Sequence, residues 1–77
     1  MATESFEVMQ TFGLDGSSYK MMVKDRDGNR YFVWYSYGIG INIGDEVLIT
    51  IDDNRWKTIS NPRNGSSSDI TQVNLIT

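Results

Sequence analysis

The chain has 77 residues, 39% hydrophobic and 22% charged, with a formal net charge of −3 and neither cysteine nor histidine. That length supports one small domain, residues 1–77, which buries only a modest share of its surface. Without Cys or His there is no disulfide, no thiolate or imidazole metal ligand and no Ser-His or Cys-His pair, so the chain reads as a non-enzyme with no cofactor.

The acidic balance disfavours charge-driven binding of nucleic acid or membrane over the whole surface, while leaving room for a local basic patch. No apolar run reaches the length of a membrane span. The first residues, Met1 to Glu7, lack the basic and apolar regions of a signal peptide. The expectation is a soluble, cytoplasmic protein without a membrane partner.

Taken in chain order, Phe6, Val8 and Phe12 share one parity and predict a first strand over residues 5–12. Residues 13–18, rich in Gly, Asp and Ser, read as a loop. A second strand over 19–24 sets Tyr19, Met21 and Val23 against Lys20, Met22 and Lys24. Asp25 to Asn29 is a turn, and residues 30–36 form the third strand. Residues 38–44 are too Gly-rich for a helix and hold single apolar anchors. A fourth strand over 46–51 points Val47, Ile49 and Ile51 inward. Asp52-Asp53-Asn54 then turns the chain into residues 55–59, where Trp56 can pair with Ile51. Residues 61–68 read as a mobile polar loop, and 70–76 as the last strand. The alternation predicts a core of Val8, Met21, Val23, Val33, Val47, Ile49, Ile51 and Val73.

Five or six short strands in one small domain hide their edges by closing on themselves. The predicted fold class is therefore all-β, a small five- to six-stranded antiparallel barrel. It is OB-like, with an SH3-like barrel as the alternative.

The third strand carries the functional signal. Tyr31, Val33 and Tyr35 point one way, Phe32 and Trp34 the other, whereas a strand of a small antiparallel sheet normally buries one face only. One set of rings is left for solvent or a partner. The turn decides which set, because a one-residue slip exchanges the faces. A two-residue Asp27-Gly28 turn pairs Val23 with Phe32 and buries Phe32 and Trp34. A type I turn from Asp25, with Gly28 in a G1 bulge, pairs Met22 with Phe32 and Lys20 with Trp34. Asp at the first turn position and Gly at the fourth favour the second arrangement. It places Lys20, Met22, Lys24, Arg30, Phe32 and Trp34 on one outer face.

Along the chain, Phe6-Glu7-Val8 opens the first strand, and Ser18-Tyr19-Lys20-Met21-Met22-Val23 falls where cold-shock domains have K-G-F-G-F-I. Tyr31-Phe32-Val33-Trp34-Tyr35 falls where they have V-F-V-H-F, Gly44-Asp45-Glu46-Val47 matches their G-x-x-V, and residues 70–76 stand in for their last strand. The chain thus resembles a cold-shock-type OB-fold domain, and the Gly-Asp-x-Val step resembles S1-like OB domains of bacterial initiation factors. The sequence departs from that pattern in several places. The two phenylalanines of the first motif are Lys20 and Met22, its glycines are absent, the histidine of the second is Trp34, and the G-P-x-A step is missing.

The resemblance implies single-stranded RNA or DNA as partner, with Phe32 and Trp34 stacking on bases and Lys20, Lys24 and Arg30 near phosphates. A protein-interaction module, an accessory or phage-type small barrel using the same patch or a sheet edge, is the alternative partner class, and the net negative charge favours it. A purely structural reading has the rings cover an open barrel end beneath the Lys20 and Arg30 stems. Asp25-x-Asp27-x-Asn29 opens like a calcium loop, but Gly28 is misplaced and no Glu follows at position twelve, so a turn is the better reading.

Overall fold

A computed structural model describes residues 2–76. Six strands make up the described chain: β1 (Ala2–Asp15), β2 (Ser18–Lys24), β3 (Arg30–Tyr35), β4 (Glu46–Asp52), β5 (Arg55–Asn61) and β6 (Ser66–Leu75). They close in the order β1-β2-β3-β6-β5-β4, and every neighbouring pair is antiparallel. The fold is all-β, a small closed six-stranded barrel consistent with an OB-like barrel. No described helix is long and apolar enough to cross a membrane.

Closure follows from the length of β1. Residues 2–7 pair with β4, and residues 7–15 pair with β2. One strand therefore serves both halves of the wall, and two bulges along it supply the bend. The barrel interior holds Phe6, Val8, Met21, Val23, Val33, Tyr35, Ile39, Val47, Ile49 and Ile59. These are alternate residues of the strands, plus one side chain from the 36–45 connection.

Several expectations need correction. The segment 13–18 is not a loop: β1 runs to Asp15 and β2 starts at Ser18, leaving only Gly16 and Ser17 to turn. Phe12 does not share the inward parity of Phe6 and Val8. The bulge between Val8 and Gln10 adds one residue and reverses the facing of the residues beyond it, so Phe12 is exposed. Ile51 and Val73 are half-buried rather than enclosed: Ile51 lies in the last pairs of β4 at the barrel end, and Val73 lies where β6 has parted from β5.

The segment 61–68 is not a long loop: residues 62–65 make a tight turn between two strands. Asn61 ends β5, Ser66 begins β6, and the Gly65 N–H donates to the Asn61 carbonyl at 2.8 Å. Asn61 is enclosed, at 1% exposure. A buried amide is tolerated only when bonded, and Asn61 donates to the Ile39 carbonyl at 3.0 Å while accepting from the Arg63 N–H at 3.1 Å. This contact holds Ile39 as a plug in one barrel end. The other end is closed by rings: Trp56 packs 4.9 Å from Phe6 and 4.8 Å from Tyr31.

Candidate functional site

The β2–β3 turn is built around Asp25, Gly28 and Asn29. The Gly28 N–H donates to the Asp25 carbonyl at 3.1 Å and the Asp25 N–H to the Asn29 carbonyl at 2.9 Å, with Gly28 at φ 90°. This is a type I turn with a G1 bulge. The Asp25 carboxylate accepts from the N–H groups of Asp27 and Asn29, from the Asn29 side chain and from the Tyr31 hydroxyl. Burial pushes the Asp25 carboxyl up, but these four bonds outweigh it and hold it below its ordinary 3.8. Burial, and then the bond to Asp25, raise the Tyr31 phenol. The residues that open like a calcium loop are thus committed to the turn. Among the described residues no group of three or more Asp, Glu, His or Cys is placed to hold a metal ion.

The turn fixes the register. Lys20 stands opposite Trp34, Met22 opposite Phe32 and Lys24 opposite Arg30. All six residues singled out from the sequence therefore lie on one outer face. On β6, Gln72 pairs with Trp34 and Asn74 with Phe32, which carries the same face one strand further.

The rings form a row. Phe12 meets Phe32 edge-on at 5.8 Å, and Phe32 meets Trp34 at 6.1 Å, the edge-to-face geometry that ring quadrupoles prefer. The Lys20 ammonium lies 4.3 Å from the centre of Phe32, 5.0 Å from Phe12 and 5.2 Å from Trp34. Each such cation–ring contact contributes about 0.5–1 kcal/mol at an exposed site. The Trp34 indole N–H donates to the Asp15 carboxylate at 2.9 Å, so the ring is oriented from β1. The ammonium of Lys20, read from the sequence as a phosphate contact, lies among the rings.

Sequence reasoning missed Phe12 and Asp15. Gly13, inside an otherwise continuous strand, signalled only the second bulge, between Thr11 and Gly13, and not the earlier one that turns Phe12 outward. The outer face of β1–β3 bears three cations, Lys20, Lys24 and Arg30, against two carboxylates, Glu7 and Asp15. That is a local charge of +1 on a chain whose net charge is −3.

Comparisons of the chain with protein-family models, with curated proteins and with solved structures found no match.

Proposed function

We propose that this protein is a non-enzymatic single-stranded nucleic-acid-binding module of OB type that works through the outer face of β1–β3. The observation that carries the reading is the row of Phe12, Phe32 and Trp34 around the Lys20 ammonium, with Lys24 and Arg30 paired at its end. Rings on a sheet face offer stacking platforms that accept any base, and cations beside them follow the backbone. An exposed Phe12 beside the half-buried Phe32 and Trp34 leaves ring surface on the outer face for a partner. Lys20, Lys24 and Arg30 on this face suit a polyanion. A cytoplasmic location and the likeness to cold-shock domains fit the same reading.

The test is a titration with short RNA and DNA oligomers at low salt, followed by tryptophan emission and backbone chemical shifts. Binding should move the signals of residues 20–24 and 30–34 together. Absence of binding to either polymer would remove the nucleic-acid reading. The same face would then pass to a protein partner, the reading that the −3 net charge favours.

A further inference from the structure

The β5–β6 ladder is incomplete. β5 pairs with β6 only from Thr58 to Asn61, against Ser66 to Asp69. Beyond that point β6 leaves to pair with β3 through residues 70–75, while the start of β5 stays with β4. The two strands splay around an open cleft of about 600 Å³. Arg55, Trp56 and Lys57 line one wall, and Thr71 and Gln72 lie on the other. Among the described residues no carboxylate lines it.

The residues at the cleft are placed by local structure. A bulge between Thr50 and Ile51 leaves Lys57 as the extra residue of β5, and bulges re-aim side chains. Trp56 points inward to the barrel-end rings, while Arg55 and Lys57 on either side of it are exposed. The cleft is also continuous with the ring face, because Gln72, on its β6 wall, stands opposite Trp34. A strand crossing from Trp34 over β6 meets Gln72 first and the two cations next.

We infer that this cleft is a phosphate-binding extension of the ring face, in which Arg55 and Lys57 take the sugar–phosphate backbone of a single-stranded nucleic acid leaving Trp34. The assignment rests on the reading of the ring face as a nucleic-acid surface. Two cations with no lining carboxylate fit a polyanion, and thymine- or uracil-rich strands suffice as probes because backbone contacts carry no sequence information. Asp52 stands opposite Arg55 in the β4–β5 register, so Lys57 is the sharper single position.

The experiment compares the intact protein with the double variant Arg55→Gln/Lys57→Gln and with Lys57→Gln alone. The probes are oligothymidylate and oligouridylate of about four and about twelve nucleotides, lengths within or near the roughly 4–16 nucleotides a small barrel covers. The intact protein should bind the longer probes more tightly and with a steeper salt dependence. The double variant should bind the short probes normally but lose the gain with length. Its log K against log salt for the long probes should be shallower by about 1.4, two contacts at roughly 0.7 each for single strands. Lys57→Gln should show about half of that change. Both replaced side chains are exposed, so the unfolding midpoint should not move; if Arg55→Gln disturbs it, Lys57→Gln carries the test.

Equal binding of both lengths by variant and intact protein at every salt concentration would overturn the cleft assignment and leave the ring face standing. An equal loss on short and long probes would overturn it too, since that is the mark of a general field and not of a path. Loss of polyglutamate binding with oligonucleotide binding unchanged would give the cleft to an acidic protein chain instead. If the intact protein binds no oligonucleotide, the ring-face reading fails and the cleft proposal fails with it.

Discussion

The β2–β3 and β4–β5 hairpins each carry a tryptophan on their second strand and use it in opposite ways. Trp34 lies on the outer face, opposite Lys20, with its indole N–H on Asp15. Trp56 lies opposite Ile51 and packs inward on Phe6 and Tyr31. Composition does not separate the two, and the turns do. The first hairpin closes through Asp25–Gly28 with one bulged residue. The second closes through only Asp53 and Asn54, both at positive φ, 54° and 64°, the requirement of a two-residue type I′ turn. Side chains in strands alternate with a period of two, so the turn's residue count determines which rings face the core and which the outer surface.

The contrast is broken most directly by deleting the inward ring. Trp56→Ala should destabilise the domain by about 3 kcal/mol, the low end of the range for truncating a packed tryptophan because this one is half-buried. Chemical unfolding measures it, and the loss is a large share of a small domain's stability. Deleting the outward ring should act on binding instead. Trp34→Ala should weaken oligonucleotide binding by about 1–3 kcal/mol through lost stacking. It should also cost about 1–2 kcal/mol of stability, from the lost contacts with Phe32 and with the Lys20 ammonium. Equal stability losses in the two variants would show that Trp34 is a structural ring and that the outer face has no spare aromatic surface.

Much of this contrast was legible in the sequence. Asp25 and Gly28 at the first and fourth turn positions pointed to the bulged turn, and with it to the face shared by Lys20, Met22, Lys24, Arg30, Phe32 and Trp34. The alternating apolar residues of β2, β3 and β4 gave most of the core. The features that were not legible depend on contacts distant in sequence. A bulge at Met9 is not encoded by any one residue type, yet it moves Phe12 from the expected interior to the ring row. Ile39 and Asn61 are 22 residues apart, and the polar Asn61 is buried only because the Ile39 carbonyl is there to accept from it. Gly40 belongs to the same contact. It adopts φ +72°, and a Cβ there would meet Asn64 Nδ2 at 3.0 Å. Nothing local distinguishes that glycine from its neighbours in a Gly-rich connection.

The turns themselves give a smaller and opposite-signed test. Gly28 is at φ +90° with open space where a Cβ would stand, so Gly28→Ala isolates backbone strain and should cost about 1–2 kcal/mol. At the other hairpin, Asn54 already tolerates the left-handed region. Asn54→Gly should therefore be neutral or stabilising by about 0.5 kcal/mol. Thermal unfolding of the two variants decides this. If Gly28→Ala folds without loss, the β2–β3 turn has another way to close, and amide-to-amide contacts across Val23–Phe32 in an NMR spectrum would reveal the slipped register.

The finest distinction between the hairpins is their response to acid. The Asp25 carboxylate accepts four hydrogen bonds, from Asp27, Asn29 twice and Tyr31, and its folded pKa lies below the ordinary 3.8 although burial acts the other way. A carboxyl whose folded pKa is depressed binds its proton more readily in the unfolded chain. Its contribution to stability is therefore complete above the unfolded value and is lost as pH falls through the folded one. Asp25→Asn removes that contribution at every pH. The unfolding midpoints of the intact protein and of Asp25→Asn should differ most at pH 5 and above. They should converge as the pH is lowered below about 3.8, where the intact protein surrenders the same bonds by protonation. Asp53→Asn, in the two-residue turn, keeps a residue type that accepts the left-handed region, so it should leave that turn closed. Parallel curves for the intact protein and Asp25→Asn down to pH 2 would mean that the Asp25 bonds are not what holds the bulged turn. Gly28 and the two backbone bonds of the turn would then carry the register that sets Trp34 outward.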